Sequence, residues 1–299
     1  MSPRDRASNA SHRSKPHLES HSGCGPESAS TNSQRGNQQP GGLTFSIIIP
    51  VKNNAGTLPA LIESAWSQLF RPAEVVVVDG SSIDETPKIA SKMGARLIRY
   101  ESVGDERSYA RNLGANQSTG SVLVFVDSDM ELSSEVLIEA AKAIEAGADA
   151  VVFPEVNLGQ GLIGKIRSWE RRAVSDAVLL TFARAMRREV FQSAGGFDKE
   201  ILGFEDIDLQ ATLIERGFRI ARIGAKIWHH EEQLTMVSYL AKRRYYSLSS
   251  TRYRDKHPVL SKSVFSPFER LKVYVHGVHS VKELPLMGAV LCLRALELV

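Results

Sequence analysis

The chain is short of cysteine. Cys24 and Cys292 are the only two in 299 residues, and they lie near opposite ends. They support neither a disulfide framework nor a cysteine-based zinc site, and they point to a reducing compartment. Long apolar runs are missing too: no stretch reaches the roughly 20 residues that a spanning helix needs. The first forty residues hold no apolar core segment, so no signal peptide is expected there. Large apolar side chains are almost absent from 1–42, where Ser, Asn, Gln, Gly, Pro and His dominate. Such a composition cannot bury enough surface to order itself, and 1–43 reads as a disordered arm. Its histidines, His12, His17 and His21, match no metal-ligand spacing.

What is present is ordinary globular composition, 42% hydrophobic and 24% charged, enough for one large domain or two small ones. The net charge is +3 but unevenly placed. From Glu232 to the end there are eleven Lys/Arg against five Asp/Glu, so that segment alone carries +6.

The chain is organised around 122–129, a Val/Leu/Phe run that stops at Asp127, Ser128 and Asp129. A continuous apolar run reads as a strand buried on both faces of a parallel sheet. Ligands of such sheets bind beyond the carboxyl ends of the strands, which is where Asp127 and Asp129 fall. Two acids one residue apart repel unless a cation lies between them, and hard oxygens suit Mg²⁺ or Mn²⁺. The plain alternative is a strand-ending loop capped by solvated acids.

Strands and helices alternate from 45 to 154. Strands are expected over 45–50, 74–79, 96–99, 122–127 and 150–154, with helices from 58, 86, 109 and 135 between them. Thr86-Pro87 is a helix start, with Thr as cap and Pro in the first turn. The pattern predicts an α/β fold with a doubly wound, mostly parallel sheet. Residues 155–176, with three glycines, read as irregular. A strand over 181–186, a helix over 205–216, short strands within 218–228 and helices from 234 follow. There is no Gly-rich basic loop after the first strand, which argues against a sugar nucleotidyltransferase. The absence of a dinucleotide glycine fingerprint there argues against a dehydrogenase.

Three acid clusters sit on this scaffold. Asp79 ends the second strand, Asp127 and Asp129 end the fourth, and Glu205, Asp206 and Asp208 open a helix whose positive dipole end tolerates them. Asp206 is held apart from the strand-end pair and is placed to act as a general base; a charged helix start is the bland alternative. His229 and His230 follow a short strand. His229 keeps the parity of the buried Ile227, so it is preferred as an additional metal ligand.

Taken together, Ile-Ile-Pro-Val-Lys-Asn-Asn (48–54), Val-Val-Asp-Gly-Ser-Ser-Ile-Asp-Glu-Thr (77–86), Ala-Arg-Asn (110–112), Phe-Val-Asp-Ser-Asp (125–129), Gly-Gly-Phe-Asp (195–198), Phe-Glu-Asp-Ile-Asp-Leu (204–209) and Trp-His-His (228–230) resemble the family 2 glycosyltransferases of the GT-A fold. The resemblance covers about 45–258. It implies an inverting, hexosyl-type transfer from a nucleotide-diphosphate sugar to an acceptor hydroxyl, with a Mg²⁺ or Mn²⁺ cofactor. It places Pro50, Val51 and Asp79 at the nucleotide base, Asp127 at the ribose or metal side, Asp129 and His229 at the metal, and Asp206 as catalytic base. Arg111 falls on the donor side, with Ser128, Glu205, Arg184 and His230 in support. Lys52 departs from the aromatic residue that often follows the family's Pro-Val.

This reading divides the chain into the arm, a GT-A domain over 44–231 and a basic, apolar helical extension over 232–299. The extension interleaves Lys/Arg with Tyr at 242–246 and 252–256 and ends in sixteen mostly apolar residues from Leu284. Tyr at headgroup depth with cations beside anionic lipid suits a membrane interface, and packing on the catalytic domain is the alternative. The expectation is a peripheral enzyme at the cytoplasmic face of the membrane, with a lipid-linked or saccharide acceptor and no nucleic-acid partner. A non-catalytic, membrane-associated sugar-nucleotide-binding protein on the same fold is the competing reading.

Overall fold

A computed structural model describes residues 42–102, 104, 106–230, 236–247 and 249–296. The arm expected over 1–43 lies, apart from its last two residues, outside the described residues.

Strand β1 (Phe45–Val51) is buried along its whole length. It pairs in parallel with β2 (Glu74–Asp79) on one side and β4 (Val122–Phe125) on the other, and β3 (Arg96–Arg99) adds in parallel beyond β2. Alternation sends each strand's side chains to two cores. Phe45, Ile47, Ile49, Val75, Val77 and Val124 meet α1 (Leu58–Trp66) and α4 (Val136–Glu145). Ile48, Val76, Val78, Leu123 and Phe125 meet α3 (Arg107–Gln117), α6 (Arg188–Ala194) and α7 (Glu205–Glu215). The two apolar layers explain why the strands read as unbroken Val/Ile runs. Helix α3 lies so close that a Cβ on Gly114 would stand 2.5 Å from Ile48 Cγ2.

The sheet continues past β4 through β8 (Ala183–Arg187), β6 (Ala150–Val152) and β9 (Ile220–Arg222), in the order β3-β2-β1-β4-β8-β6-β9. β8 runs antiparallel to both of its neighbours, so the sheet is mostly rather than wholly parallel. A second sheet has the order β5-β10-β7, from Met130–Leu132, Ile227–His229 and Glu155–Asn157. Its register sets His229 opposite Met130 on one side and Asn157 on the other.

The stretch 155–176 is not irregular. It forms β7 and then α5 (Gly161–Val174). Gly159, Gly161 and Gly164 weaken the local helix signal, but Ile166, Trp169 and Ala173 form a buried stripe at helical spacing. Tertiary packing of that stripe overrides the weak propensity.

Among the described residues five α-helices follow: α8 (Met236–Ser247), α9 (Ser250–Lys256), α10 (Leu260–Val264), α11 (Pro267–His276) and α12 (Leu284–Leu296). Ser266 caps α11 by accepting from Glu269 N at 3.3 Å, with Pro267 in the first turn. The terminal apolar residues are not wholly free for a membrane: Val290 and Leu293 of α12 pack with Ile166, Trp169, Tyr239 and Tyr274. Glu170 on α5 clamps the same group, accepting from Tyr274 OH at 2.7 Å and Arg294 Nε at 2.9 Å. One tyrosine of the interleaved segments, Tyr253, faces inward. Tyr253 is fully buried near Phe204, Val264 and Phe265, where its ring finds apolar partners.

Candidate active site

A cleft of about 530 Å³ opens at the carboxyl ends of the strands. Its walls come from the loop after β1 (Lys52, Asn53, Asn54), the turn after β4 (Asp127, Ser128, Asp129) and the junction of β6 with β7 (Pro154, Glu155). Asp206 at the start of α7, His229 and His230, and Tyr239 and Tyr246 of α8 complete it. This is where a doubly wound sheet presents loops while its strands supply rigid support.

Asp129 and His229 are 100 residues apart in sequence, yet His229 Nε2 lies 3.0 Å from Asp129 Oδ2. Pairing of β10 with β5 makes the contact. His230 N also donates to Asp129 O at 2.8 Å, while the His230 ring turns to Glu131 at 3.1 Å. Ser128 is fixed from the β1 side, where its Oγ accepts from Asn54 Nδ2 at 2.8 Å and its carbonyl from Thr57 Oγ1 at 2.8 Å.

Asp127 has both oxygens taken by buried guanidinium groups. Arg111 Nη2 reaches Oδ1 at 2.6 Å and Arg184 Nη2 reaches Oδ2 at 3.3 Å. Burial alone would raise this carboxyl, but the two arginines outweigh it and hold it well below the usual carboxylate range. Arg184 also bonds Glu155 Oε1 through Nε at 2.8 Å. Glu155 likewise would rise on burial, and Arg184 and Arg171 hold it instead at about 2.

The second acid pair is split by environment. Glu205 is 3% exposed. Burial and the neighbouring charge of Asp206 push its carboxyl up, and its Oε2 is buried without a hydrogen-bond partner. Asp206 faces the cleft with 30% of its side chain exposed and accepts from Arg111 Nη1 at 2.7 Å. Of the two, only Asp206 lines the cleft.

The sequence candidates therefore separate in space. Asp127, Ser128, Asp129, Arg184, Asp206, His229 and His230 line one cleft. Arg111, 1% exposed, and the buried Glu205 sit behind it. Pro50, Val51 and Asp79 are buried and do not line it; Lys52 and Asn53, the next residues along, do. Asp79 accepts from Arg99 Nε at 2.9 Å and from Ser82 N. Asn53 and Ser81 adopt left-handed backbone, at φ 50° and 60°, and Ser82 ties their loops together by accepting from Asn53 N at 2.7 Å. Strain of that kind in non-glycine residues collects at ligand-binding loops.

Sequence reasoning missed Glu155, although it directly follows the strand expected over 150–154 and Asp127 ends the one expected over 122–127, and that position was the available signal. It also missed Tyr246, which lies in the cleft and accepts from Arg107 Nη2 at 3.1 Å. The Tyr239 and Tyr246 spacing of two helical turns was the clue. Gly203, at φ +76°, lets the α7 entry pass the Tyr246 ring, which a Cβ there would meet at 2.2 Å.

This arrangement is that of the GT-A fold: a central α/β sheet with acids at its strand ends and helices appended after it. The model of glycosyl transferase family 2 matches residues 46–193, and the chain belongs to that family. It is 38% identical over 102 residues to a 4,4'-diaponeurosporenoate glycosyltransferase of Staphylococcus haemolyticus, a match covering 32% of this chain and 27% of that relative. It is 24% identical over 213 residues to an O-antigen chain rhamnosyltransferase of Salmonella typhimurium, covering 64% and 68%. The chain thus spans about a quarter of the first relative's length and two thirds of the second's. Among solved structures, a mannosyltransferase from Pyrobaculum calidifontis in complex with GDP-Man and Mn²⁺ superposes with a TM-score of 0.58 at 18% identity, covering 86% of this chain and 81% of that one.

Proposed function

We propose that the protein is an inverting glycosyltransferase that moves a hexose from a nucleotide-diphosphate sugar to an acceptor hydroxyl, in the synthesis of a lipid-linked or surface glycoconjugate. The catalytic unit is assigned to 44–231 and the extension to 232–299. The carrying observation is one cleft that holds an Asp129–His229 pair on one wall and a half-buried, arginine-bonded Asp206 on another.

The donor set suits a divalent cation. Asp129 offers a hard oxygen beside the His229 imidazole nitrogen, and His229 Nδ1 is buried without a hydrogen-bond partner. No group of three or more His, Cys, Asp or Glu able to hold a metal occurs among the described residues. A cation completed by substrate phosphates needs only one or two protein ligands. Bound there, Mg²⁺ or Mn²⁺ supplies neutralisation of the charge that develops on a leaving nucleotide diphosphate. Asp206 takes the proton from the acceptor hydroxyl as that oxygen attacks the anomeric carbon from the opposite face. The single displacement inverts the centre and needs no covalent nucleophile. Asp127, neutralised by two arginines, stays an anion able to accept from ribose hydroxyls without drawing on the cation.

For the acceptor, support comes from the relatives, one of which is named an undecaprenyl-phosphate 4-deoxy-4-formamido-L-arabinose transferase. No helix among the described residues is long and apolar enough to cross a membrane. The peripheral placement is supported by α11, which exposes Phe268, Leu271 and Val275 at helical spacing while Tyr274 packs inward. The deciding experiment is a screen of UDP- and GDP-sugars with Mn²⁺ for nucleotide release on adding lipid-phosphate or saccharide acceptors, with NMR of the product anomer. Donor binding without any acceptor-dependent release favours the non-catalytic reading; a retained anomer removes the inverting one.

A further inference from the structure

The resemblance to the family sets Arg111 against the donor. Its surroundings say otherwise. It is among the largest fully buried side chains in the protein, and it lies on α3, pinned against β1 and β2 at Gly114. Its guanidinium rests over the Phe197 ring at 5.1 Å from the centroid. Nη2 donates to Asp127 Oδ1 at 2.6 Å, Nη1 donates to Asp206 Oδ1 at 2.7 Å, and Glu205 Oε1 stands 3.4 Å from Nη1. One cation therefore spans two elements, the β4 end and the α7 start.

We infer that Arg111 is a positioning residue: its buried fork holds the donor-side Asp127 and the base Asp206 in one fixed relation, so that the base is aligned by the same strand end that receives the donor. The inference rests on the function proposed above and goes beyond it by naming what sets the base.

Four physical points support it. Three carboxylates converge here, and without a cation between them Asp127, Asp206 and Glu205 repel. A planar guanidinium with donors in a rigid fork serves two separate carboxylates at once, whereas an ammonium is a single point charge on a flexible stem. Helix α3 cannot drift, because Gly114 already touches the β1 side chains and Asn112 Nδ2 donates to Phe197 O at 2.8 Å. Asp206 keeps its second oxygen: among the described residues no hydrogen bond to Oδ2 is found, so one oxygen is held by Arg111 while the other remains for an acceptor hydroxyl.

The test uses the full chain with Arg111→Lys, Asp206→Asn and the double variant. Donor affinity is read with UDP- and GDP-sugars plus Mn²⁺, and turnover by nucleotide release. Arg111→Lys is expected to change donor affinity less than threefold and to lower kcat roughly 100-fold, the scale of a 1 Å misplacement. In the Asp206→Asn background the same change should have little further effect, because the two act as one unit. A normal kcat in Arg111→Lys, or a full additional loss in the double variant, overturns the inference. If Asp206→Asn itself turns over normally, the base assignment fails rather than the Arg111 link. Should Arg111→Lys melt below assay temperature, Asp127→Asn tests the tie from its other end. It is expected to depress kcat more than donor affinity, and intact kcat in that variant refutes the tie equally.

Discussion

The extension is fastened to the catalytic helix α7 by one buried histidine, and its removal has a calculable cost. His257 is 1% exposed; its Nε2 lies 2.9 Å from Asp208 Oδ1 and its Nδ1 lies 2.8 Å from Glu215 Oε2. Lys256 Nζ holds the other Asp208 oxygen at 2.8 Å and reaches Asp198 at 3.2 Å, while the Tyr253 ring packs 5.1 Å away. Burial alone would lower the imidazole's value from 6.5, but the bonds to Asp208 and Glu215 outweigh it and raise it. A raised folded value means that the stabilisation is complete below the unfolded value of 6.5 and is lost as pH climbs through the folded one.

His257→Gln removes the positive charge and leaves Asp208, 1% exposed, with Lys256 alone. Breaking a buried ion pair costs about 3–5 kcal/mol, and the surviving Lys256 contact puts this case near the low end, about 3 kcal/mol. For a protein of this size that corresponds to about 5 °C in Tm. Circular-dichroism melts of both proteins at pH 6 and pH 9 measure it. The gap should be largest at pH 6 and should narrow at pH 9 as the wild type loses its imidazolium. A gap that widens with pH, or one that is negligible at pH 6, refutes the account of this contact.

Asp129→Ala is expected to abolish Mn²⁺-dependent donor affinity, because it removes the hard carboxylate oxygen that the cation needs beside the substrate phosphates; isothermal titration with and without Mn²⁺ checks this, and unchanged affinity counts against it. Asp206→Asn should bind donor as the wild type does and lose about 10²–10⁴-fold in turnover, the usual span for general-base removal, as measured by acceptor-dependent nucleotide release. Replacing Phe268, Leu271 and Val275 with Ser should cut flotation with anionic liposomes while leaving melting unchanged, since all three are exposed. Equal flotation of both proteins would remove α11 from the membrane reading. A chain starting at Leu43 should retain activity with any acceptor the full chain uses, and its loss in a folded protein would give the arm a role.

Much of the fold was legible because a parallel sheet writes itself plainly. Strands covered on both faces must be apolar throughout, so β1, β2 and β4 appear as uninterrupted runs, and the acids that end them mark the edge of the site. The alternation from 45 to 154 and the helix start before Asp206 followed from local pattern alone. Segment 155–176 did not, because its glycines hide a helix whose stripe has meaning only against α11 and α12.

Tertiary structure decided what each acid can do. The Asp129–His229 contact joins residues 100 apart, and the Arg111–Asp206 contact joins residues 95 apart. No local pattern carries such pairings, because sheet register and helix docking create them. The sequence placed Asp127 beside Asp129 as like partners. The fold separates them, enclosing one between two guanidinium groups and leaving the other with an imidazole at the cleft. It likewise turned Tyr246 toward the cleft and Tyr253 into the core, where composition alone had suggested a membrane surface. The sequence determined which chemical groups stand at the strand ends; burial and long-range charge determined which are held as anions, which stay accessible and which position the rest.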